Sequence, residues 1–292
     1  MKKCDVLVTG AAGFIGQYMC EHLTGEGISV MGLDKRDAEL PCELIRHDLT
    51  QPYAGKIEAD ICIHLASSVG GILYNNAAKA DMIEYNDLVN KGTVGLLKAG
   101  GCNRMVFFSS INIFENNPSF EHGPVCVFPS QTSYAMSKAY GERALAEAFK
   151  HLTVIRPTNA FGKRQTRSHD QFGESHVIVD LMKKIQDSDI VDVLGDGTQR
   201  RNFVHAQDIV EFVARNLNLE GHHYFNLRSN ITITIGQLAQ DLSRYMKRDV
   251  TFRFLSSFMA LETFQIQNFD LSIPTEYGWS FRCKSITEGL KF

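Results

Sequence analysis

Short apolar runs alternate with amphipathic stretches through the first half of this chain. CDVLVTG (4–10), ISVMGLD (28–34), DICIHLAS (60–67), RMVFFSS (104–110) and LTVIRPT (152–158) are rich in Val, Ile and Phe and lack strict in–out alternation. That is the pattern of strands covered on both faces of a parallel sheet. Between them, 14–24, much of 75–99 and 132–150 read as helices. Strand–helix alternation at this spacing predicts a doubly wound α/β sheet.

After about residue 157 the rhythm changes. The polar stretch GKRQTRSHDQFGES precedes a helical VIVDLMKKI, then VDVLGDGTQRRNFVHAQDIV, then a tail of short strands and helices. This predicts residues 1–157 as the doubly wound domain and 158–292 as mainly a smaller α/β lobe that closes over the sheet's carboxyl edge. Later segments are expected to interleave with the first domain.

Composition narrows the function classes without choosing one. The chain has 292 residues, is 44% hydrophobic and 22% charged, and carries a formal net charge of −3, so nothing draws it as a whole to nucleic acid or anionic membrane. Seven cysteines with no CxxC pair suggest neither a zinc site nor a disulfide framework. The N-terminal apolar run breaks at Gly10 and Gly13, too early for a signal peptide or membrane span. A cytoplasmic, reducing location is the expectation, with no metal.

Chemistry enters at two places. Gly10-Ala11-Ala12-Gly13-Phe14-Ile15-Gly16 follows the first strand and opens a helix; such glycines let a backbone turn sharply and approach a pyrophosphate at the helix start. Asp34, ending the second strand 18 residues after Gly16, can accept the adenosine ribose hydroxyls and would repel a 2′-phosphate, which favours NAD over NADP. Lys35 and Arg36 follow at once and could hold that phosphate instead, or be merely solvated. Asp48-Leu49 is placed to meet adenine, although an aspartate there also forms turns. In His64-Leu65-Ala66-Ser67 the last three lie where cofactor should pass, and His64 reads as a satisfied core histidine.

The second place is Tyr134-Ala-Met-Ser-Lys138, which sets a phenol and an ammonium one helical turn apart. A free phenol has a pKa near 10, and a neighbouring cation lowers it towards a useful acid/base. Ser110, at the end of the apolar run 104–110, can bond the same reacting oxygen. Together they suit alcohol–ketone interconversion with hydride transfer.

With GAAGFIG, HLAS, FFSSINIF, YAMSK, IRPTNAFG and GDGTQRRNFVHAQD in this order, the chain resembles the extended short-chain dehydrogenase/reductases, in their nucleotide-sugar epimerase, dehydratase and reductase branch, almost end to end. The resemblance implies a Rossmann-type sheet, with Pro157 among the cofactor-contacting residues. It implies that Asn159 meets the sugar or diphosphate and that Arg201 pairs with the diphosphate of a nucleotide sugar, as a guanidinium fork can. It also implies a homodimer formed by the helices in 75–99 and 132–150, which carry Met82, Ile83, Leu88, Leu96, Leu97, Ala139 and Leu145 beyond one apolar face.

Within the branch, Val69-Gly70-Gly71-Ile72, Asn75-Asn76 and Ser175-His176-Val177-Ile178 are similar to the GDP-fucose synthases. There the matching histidine works with a cysteine, whose position is Asn112 here, so His176 is left as a substrate donor or a helix-start residue. Ile111-Asn112 also lacks the Asp-Glu pair of the sugar 4,6-dehydratases and the glutamate of the decarboxylases. What survives is redox chemistry through Ser110, Tyr134 and Lys138: a C4 epimerase of a nucleotide sugar, or an NADPH-dependent 4-keto-sugar reductase with the same triad. A silent dinucleotide-binding regulator is the rival from another class.

Overall fold

The computed structural model describes residues 2–71, 79–114, 123, 132–165, 175–256 and 275–291. Strands β1 (Lys2–Thr9), β2 (Val30–Asp34), β3 (Glu43–Arg46), β4 (Ile57–His64), β5 (Arg104–Phe108) and β6 (His151–Pro157) are joined by a later strand, β10 (His222–Leu227). They form one seven-stranded sheet in the order β10-β6-β5-β4-β1-β2-β3, with every pairing parallel. The order reverses between β1 and β4, which opens a crevice at their carboxyl ends, the place where doubly wound sheets bind ligands.

Helices cover both faces. Helix α1 (Phe14–Gly25) lies on one, with α5 (Ala206–Arg215); α2 (Lys79–Gly100) and α3 (Ser133–Ala148) lie on the other. Val6, Val8, Ile61, Ile63, Val106 and Phe108 point to the α1 side, whereas Leu7, Cys62, Met105 and Phe107 point to the α2 side. Successive strand residues face opposite cores, which explains why the runs show no polar alternation. The smaller elements are β7 (Asn159–Phe161), α4 (Val177–Asp187), β8 (Ile190–Leu194), β9 (Arg200–His205), β11 (Ile231–Thr234), α6 (Ile235–Met246), β12 (Thr251–Leu255) and α7 (Ile286–Gly289). They build a three-stranded sheet, β11-β9-β7, and a parallel pair, β12-β8. These share a third core that includes Phe161, Leu181, Phe203 and Leu238.

Several boundaries differ from the sequence pattern. Strand β3 is too short and too polar to stand out as an apolar run. The expected strands at 60–67 and 104–110 stop at His64 and Phe108, so Leu65-Ala66-Ser67 and Ser109-Ser110 leave the sheet as connections. The beginning of the expected 75–99 helix, with Ile72, Asn75 and Asn76, lies outside the described residues.

Most of the side chains that argued for a dimer lie in the interior. Met82, Leu96, Leu97, Ala139 and Leu145 are buried within the chain, because α2 and α3 pack on each other and on the sheet. Leu88 and Tyr140 stay exposed, at 42% and 43%. No helix among the described residues is long and apolar enough to cross a membrane.

Candidate active site

The turn from β1 into α1 is built by glycines that admit no side chain. Gly10 has φ +72°, and a Cβ on it would meet Ala66 N at 2.7 Å. A Cβ on Gly16 would meet Gly10 O at 2.2 Å, so α1 lies directly on the turn. The Leu65-Ala66-Ser67 connection after β4 is thereby pressed against the glycine loop. Gly13 precedes the helix without a side chain to cap it, so the first-turn N–H groups keep their capacity for an anion.

Asp34 closes this corner from β2. It is buried, and its carboxylate accepts the Ala12 N–H at 3.1 Å and the Arg36 N–H at 2.9 Å. The exposed Arg36 guanidinium folds back on the same carboxylate, with Nε 3.3 Å from Oδ1, and its Nη2 sits 3.5 Å from a Cβ position on Gly13. Lys35 turns away and donates to the Tyr85 hydroxyl at 2.9 Å. Asp48 accepts from the Thr50 N–H at 3.0 Å and the Thr50 hydroxyl at 2.9 Å; the Thr50 backbone is the main cause that holds its carboxyl below the usual range. The cradle a Cβ would fill, the uncapped helix start and the buried carboxylate fit a dinucleotide.

At the next strands, Tyr134 stands in the first turn of α3, whose N-terminus is capped by Thr132 Oγ1 accepting from the Ala135 N–H at 3.3 Å. Lys138, one turn on, is buried. Its ammonium donates to Ser67 Oγ at 3.1 Å and to the Phe108 carbonyl at 2.9 Å, and lies 5.8 Å from the centroid of the Tyr134 ring. Ser110 is buried beyond the end of β5 and accepts the Asn112 N–H at 3.2 Å. The three side chains therefore converge beside the glycine loop, at the carboxyl edge of β4 and β5.

Burial pushes Lys138 down to about 8, with Glu142 pulling the other way. Burial likewise pushes Tyr134 up to about 12, against the Ser110 hydroxyl beside it. Removing the phenolate from water is the main cause of that rise.

A buried polar scaffold behind these groups was only partly legible in the sequence. His64 is fully buried, with Nδ1 2.6 Å from Thr9 Oγ1 and Nε2 3.0 Å from Asn90 Oδ1, as the core-histidine reading had it. Asn86, one turn before Asn90 on α2, accepts the Ser68 N–H at 2.6 Å and donates to Ser137 Oγ at 3.0 Å. It ties the connection after β4 to the helix of Tyr134. The available signal was two asparagines at i and i+4, in register with apolar Met82, Val89 and Leu97 on the helix.

On the far side, Asn159 on β7 donates to the Asn202 carbonyl at 2.8 Å. Arg201 on β9 is half-buried and donates to the Arg200 carbonyl at 3.0 Å. His176 immediately precedes α4 and makes no side-chain cap. The hub here is Asn202, a residue the sequence did not single out: it is buried and bonds Thr158 Oγ1, the Ser229 carbonyl and Thr232 Oγ1 at 2.7–2.9 Å.

Residues 6–227, from β1 to the end of β10, match the NAD dependent epimerase/dehydratase family. The chain belongs to this family. It is 26% identical to a dTDP-4-dehydro-6-deoxy-D-allose reductase from a Streptomyces species, over 80% of this chain and 78% of that protein. It is also 26% identical to a GDP-L-fucose synthase of Escherichia coli, over 84% and 82%. A UDP-glucose 4-epimerase of Thermotoga maritima, solved with UDP-glucose, shares the fold with a TM-score of 0.77 at 20% identity, covering 98% of this chain and 96% of that one. Family membership makes the chain an NAD(P)-dependent enzyme.

Proposed function

We propose that the chain is an epimerase of a nucleotide sugar, acting at C4 through a transient keto-sugar. The observation that carries this reading is Lys138, buried beside Tyr134 and bonded at once to Ser67 and to the end of β5. Reversible hydride exchange at the sugar carbon is the chemistry that NAD supplies when bound. Tyr134 moves the proton of the sugar hydroxyl, Ser110 bonds the same oxygen, and Lys138 supplies the positive charge that stabilises the phenolate. In this reading Gly10, Gly13, Phe14, Ile15, Gly16, Asp34, Lys35, Asp48, Leu49, Leu65, Ala66, Ser67 and Pro157 line the cofactor. Asn112, Asn159, His176 and Arg201 meet the substrate, with Arg201 on its diphosphate.

The second reading, an NADPH-dependent 4-keto-sugar reductase, is favoured by Arg36. Its guanidinium already sits over Asp34 and Gly13, where it could meet a 2′-phosphate. Analysis of the cofactor in purified protein separates the two. Tightly retained NAD supports the epimerase; an empty site that prefers NADPH replaces it with the reductase.

The division into a dinucleotide-binding domain over 1–157 and a substrate lobe mainly over 158–292 belongs to this proposal. So does a homodimer through the α2 and α3 surface, for which exposed Leu88 and Tyr140 are the support. A monomer at micromolar concentration in light scattering would remove the dimer. The free thiols fit a reducing compartment, as in cytoplasm.

A further inference from the structure

Helix α3 carries a second buried charge for which the proposed chemistry has no use. Glu142 lies one turn beyond Lys138 and is 4% exposed. Facing it from β6 is Arg156, which is fully buried. Arg156 Nε reaches Glu142 Oε1 at 2.9 Å and Nη2 reaches Oε2 at 2.5 Å, a two-pronged grip that fixes the carboxylate's orientation. Nη2 also donates to the Gly123 carbonyl at 2.7 Å. The guanidinium lies against two rings, 5.2 Å from the centroid of Phe114 and 4.9 Å from that of Tyr224.

Phe114 closes the single 3-10 turn, Ile111–Phe114, that leaves Ser110. One arginine thus touches both segments that converge on the site: the turn that follows Ser110 and the helix that bears Tyr134 and Lys138. Burying a charged pair brings little net stability over apolar residues of the same shape, so stability alone is a poor reason for it.

We propose that Glu142, clamped by Arg156, is a positioning residue that sets the Tyr134–Lys138 helix against the Ser110 turn and holds Lys138 as an ammonium. The inference rests on the acid/base reading of Tyr134 and Lys138. The groups facing Lys138 from the elements packed around it are few among the described residues. Tyr134 and Glu142 share its helix, His64 comes from β4, Ser67 and the Phe108 carbonyl bond it, and Arg156 stands behind Glu142. His64, pushed down to about 4 by burial, is neutral at pH 7, so Glu142 is the anion opposing the loss of Lys138's charge.

Neutral neighbours offer no substitute. Ser109, which bonds Ile155 beside Arg156, and Asn226, paired with Arg156 in the sheet register, are both buried. Neither carries a charge with which to replace the carboxylate.

The test reads Lys138 directly and needs no substrate. Lysine-selective 13C labelling gives the titration of each ammonium, with Lys138→Met identifying the signal. Glu142→Gln should lower the Lys138 midpoint by about 1 unit or more, the scale of losing one nearby opposite charge. Glu142→Asp, which keeps the carboxylate, should restore at least half of that shift. Should Glu142→Gln fail to fold because Arg156 is stranded, the double variant Glu142→Gln with Arg156→Met removes the stranded charge; its midpoint should still fall, but by less, because a cation is lost with the carboxylate, and a double variant at the wild-type midpoint or above it overturns the proposal.

NAD affinity by calorimetry should stay within about twofold in the Glu142 and Arg156 variants, since the glycine loop is untouched. A folded Gln variant with the wild-type midpoint overturns the proposal, as does an Asp variant that falls as far as Gln. Wild-type protein that binds no dinucleotide would instead sink the functional reading and leave the Lys138 shift standing.

Discussion

The proposed cofactor corner and the proposed substrate side of this molecule are built by opposite means. Around β1, α1 and β2 the backbone does the work: Gly10 and Gly16 are sites where one added carbon collides with main chain. Around β7 and β9 the work falls to side chains, with Asn159, Arg201 and Asn202 already engaged in hydrogen bonds of their own. A site made of backbone tolerates almost no substitution at its glycines. A site made of side chains can be retuned one residue at a time, at modest cost.

The largest effect belongs to the group shared by both regions. Tyr134→Phe should reduce turnover by about 10²–10⁴-fold, the usual weight of a proton-transferring group, while calorimetry finds NAD affinity nearly unchanged. A Phe variant with near-normal turnover on any substrate the wild type converts would break the acid/base assignment.

Two glycine substitutions sharpen the backbone half of the comparison. Gly16→Ala should abolish measurable NAD binding and destabilise the chain by roughly 1–3 kcal/mol, the cost of overpacking a tight contact. Gly25→Ala, where a Cβ would meet nothing within 4 Å, should instead stabilise it by about 0.4–1 kcal/mol, because alanine restricts the unfolded chain. Denaturant melts of the pair check both. Equal behaviour would mean that the glycine loop is not the tight element described above.

His64 offers a test that pH alone can run. Its folded pKa, near 4, lies below the ordinary value of about 6.5, so the unfolded chain binds the extra proton first. Its contribution is therefore fully present above pH 6.5 and is lost as pH falls through 6.5 towards 4, by about 3 kcal/mol in all. His64→Gln should flatten that part of the stability–pH curve. A curve of unchanged slope would show that the ring is not held neutral in the core.

Arg201→Ala carries the smallest predicted loss of function and tests the side-chain half. Losing one charge-assisted contact costs about 1.5–3 kcal/mol, so nucleoside-diphosphate affinity should fall roughly ten- to a hundredfold with NAD affinity unmoved. Equal losses for both ligands would indicate misfolding. No loss for the diphosphate would remove Arg201 from the substrate site.

Much of this could be read from the chain before any coordinates. The glycine spacing, Asp34 at a strand end, and Tyr134 and Lys138 one turn apart are local patterns, set by strand and helix geometry over a few residues. The parallel sheet was legible because its strands are apolar on both sides. Strand β10 was not, since its place beside β6 is a pairing across about seventy residues. Nor was the burial of Met82, Leu97 and Leu145, for an apolar helical face looks the same whether it meets a sheet or a second chain.

The sequence by itself therefore determined the family and the fold class, and it singled out the candidate reacting groups, since each is written in short-range spacing. The tertiary structure decided what state those groups rest in and what holds them. Burial disfavours the Tyr134 phenolate and so holds its proton more tightly than in water. Arg36, although exposed, folds back on Asp34, and Arg156 finds Glu142 across 14 residues of chain. Desolvation and long-range contact depend on everything packed around a group, and no local pattern of residues carries that sum.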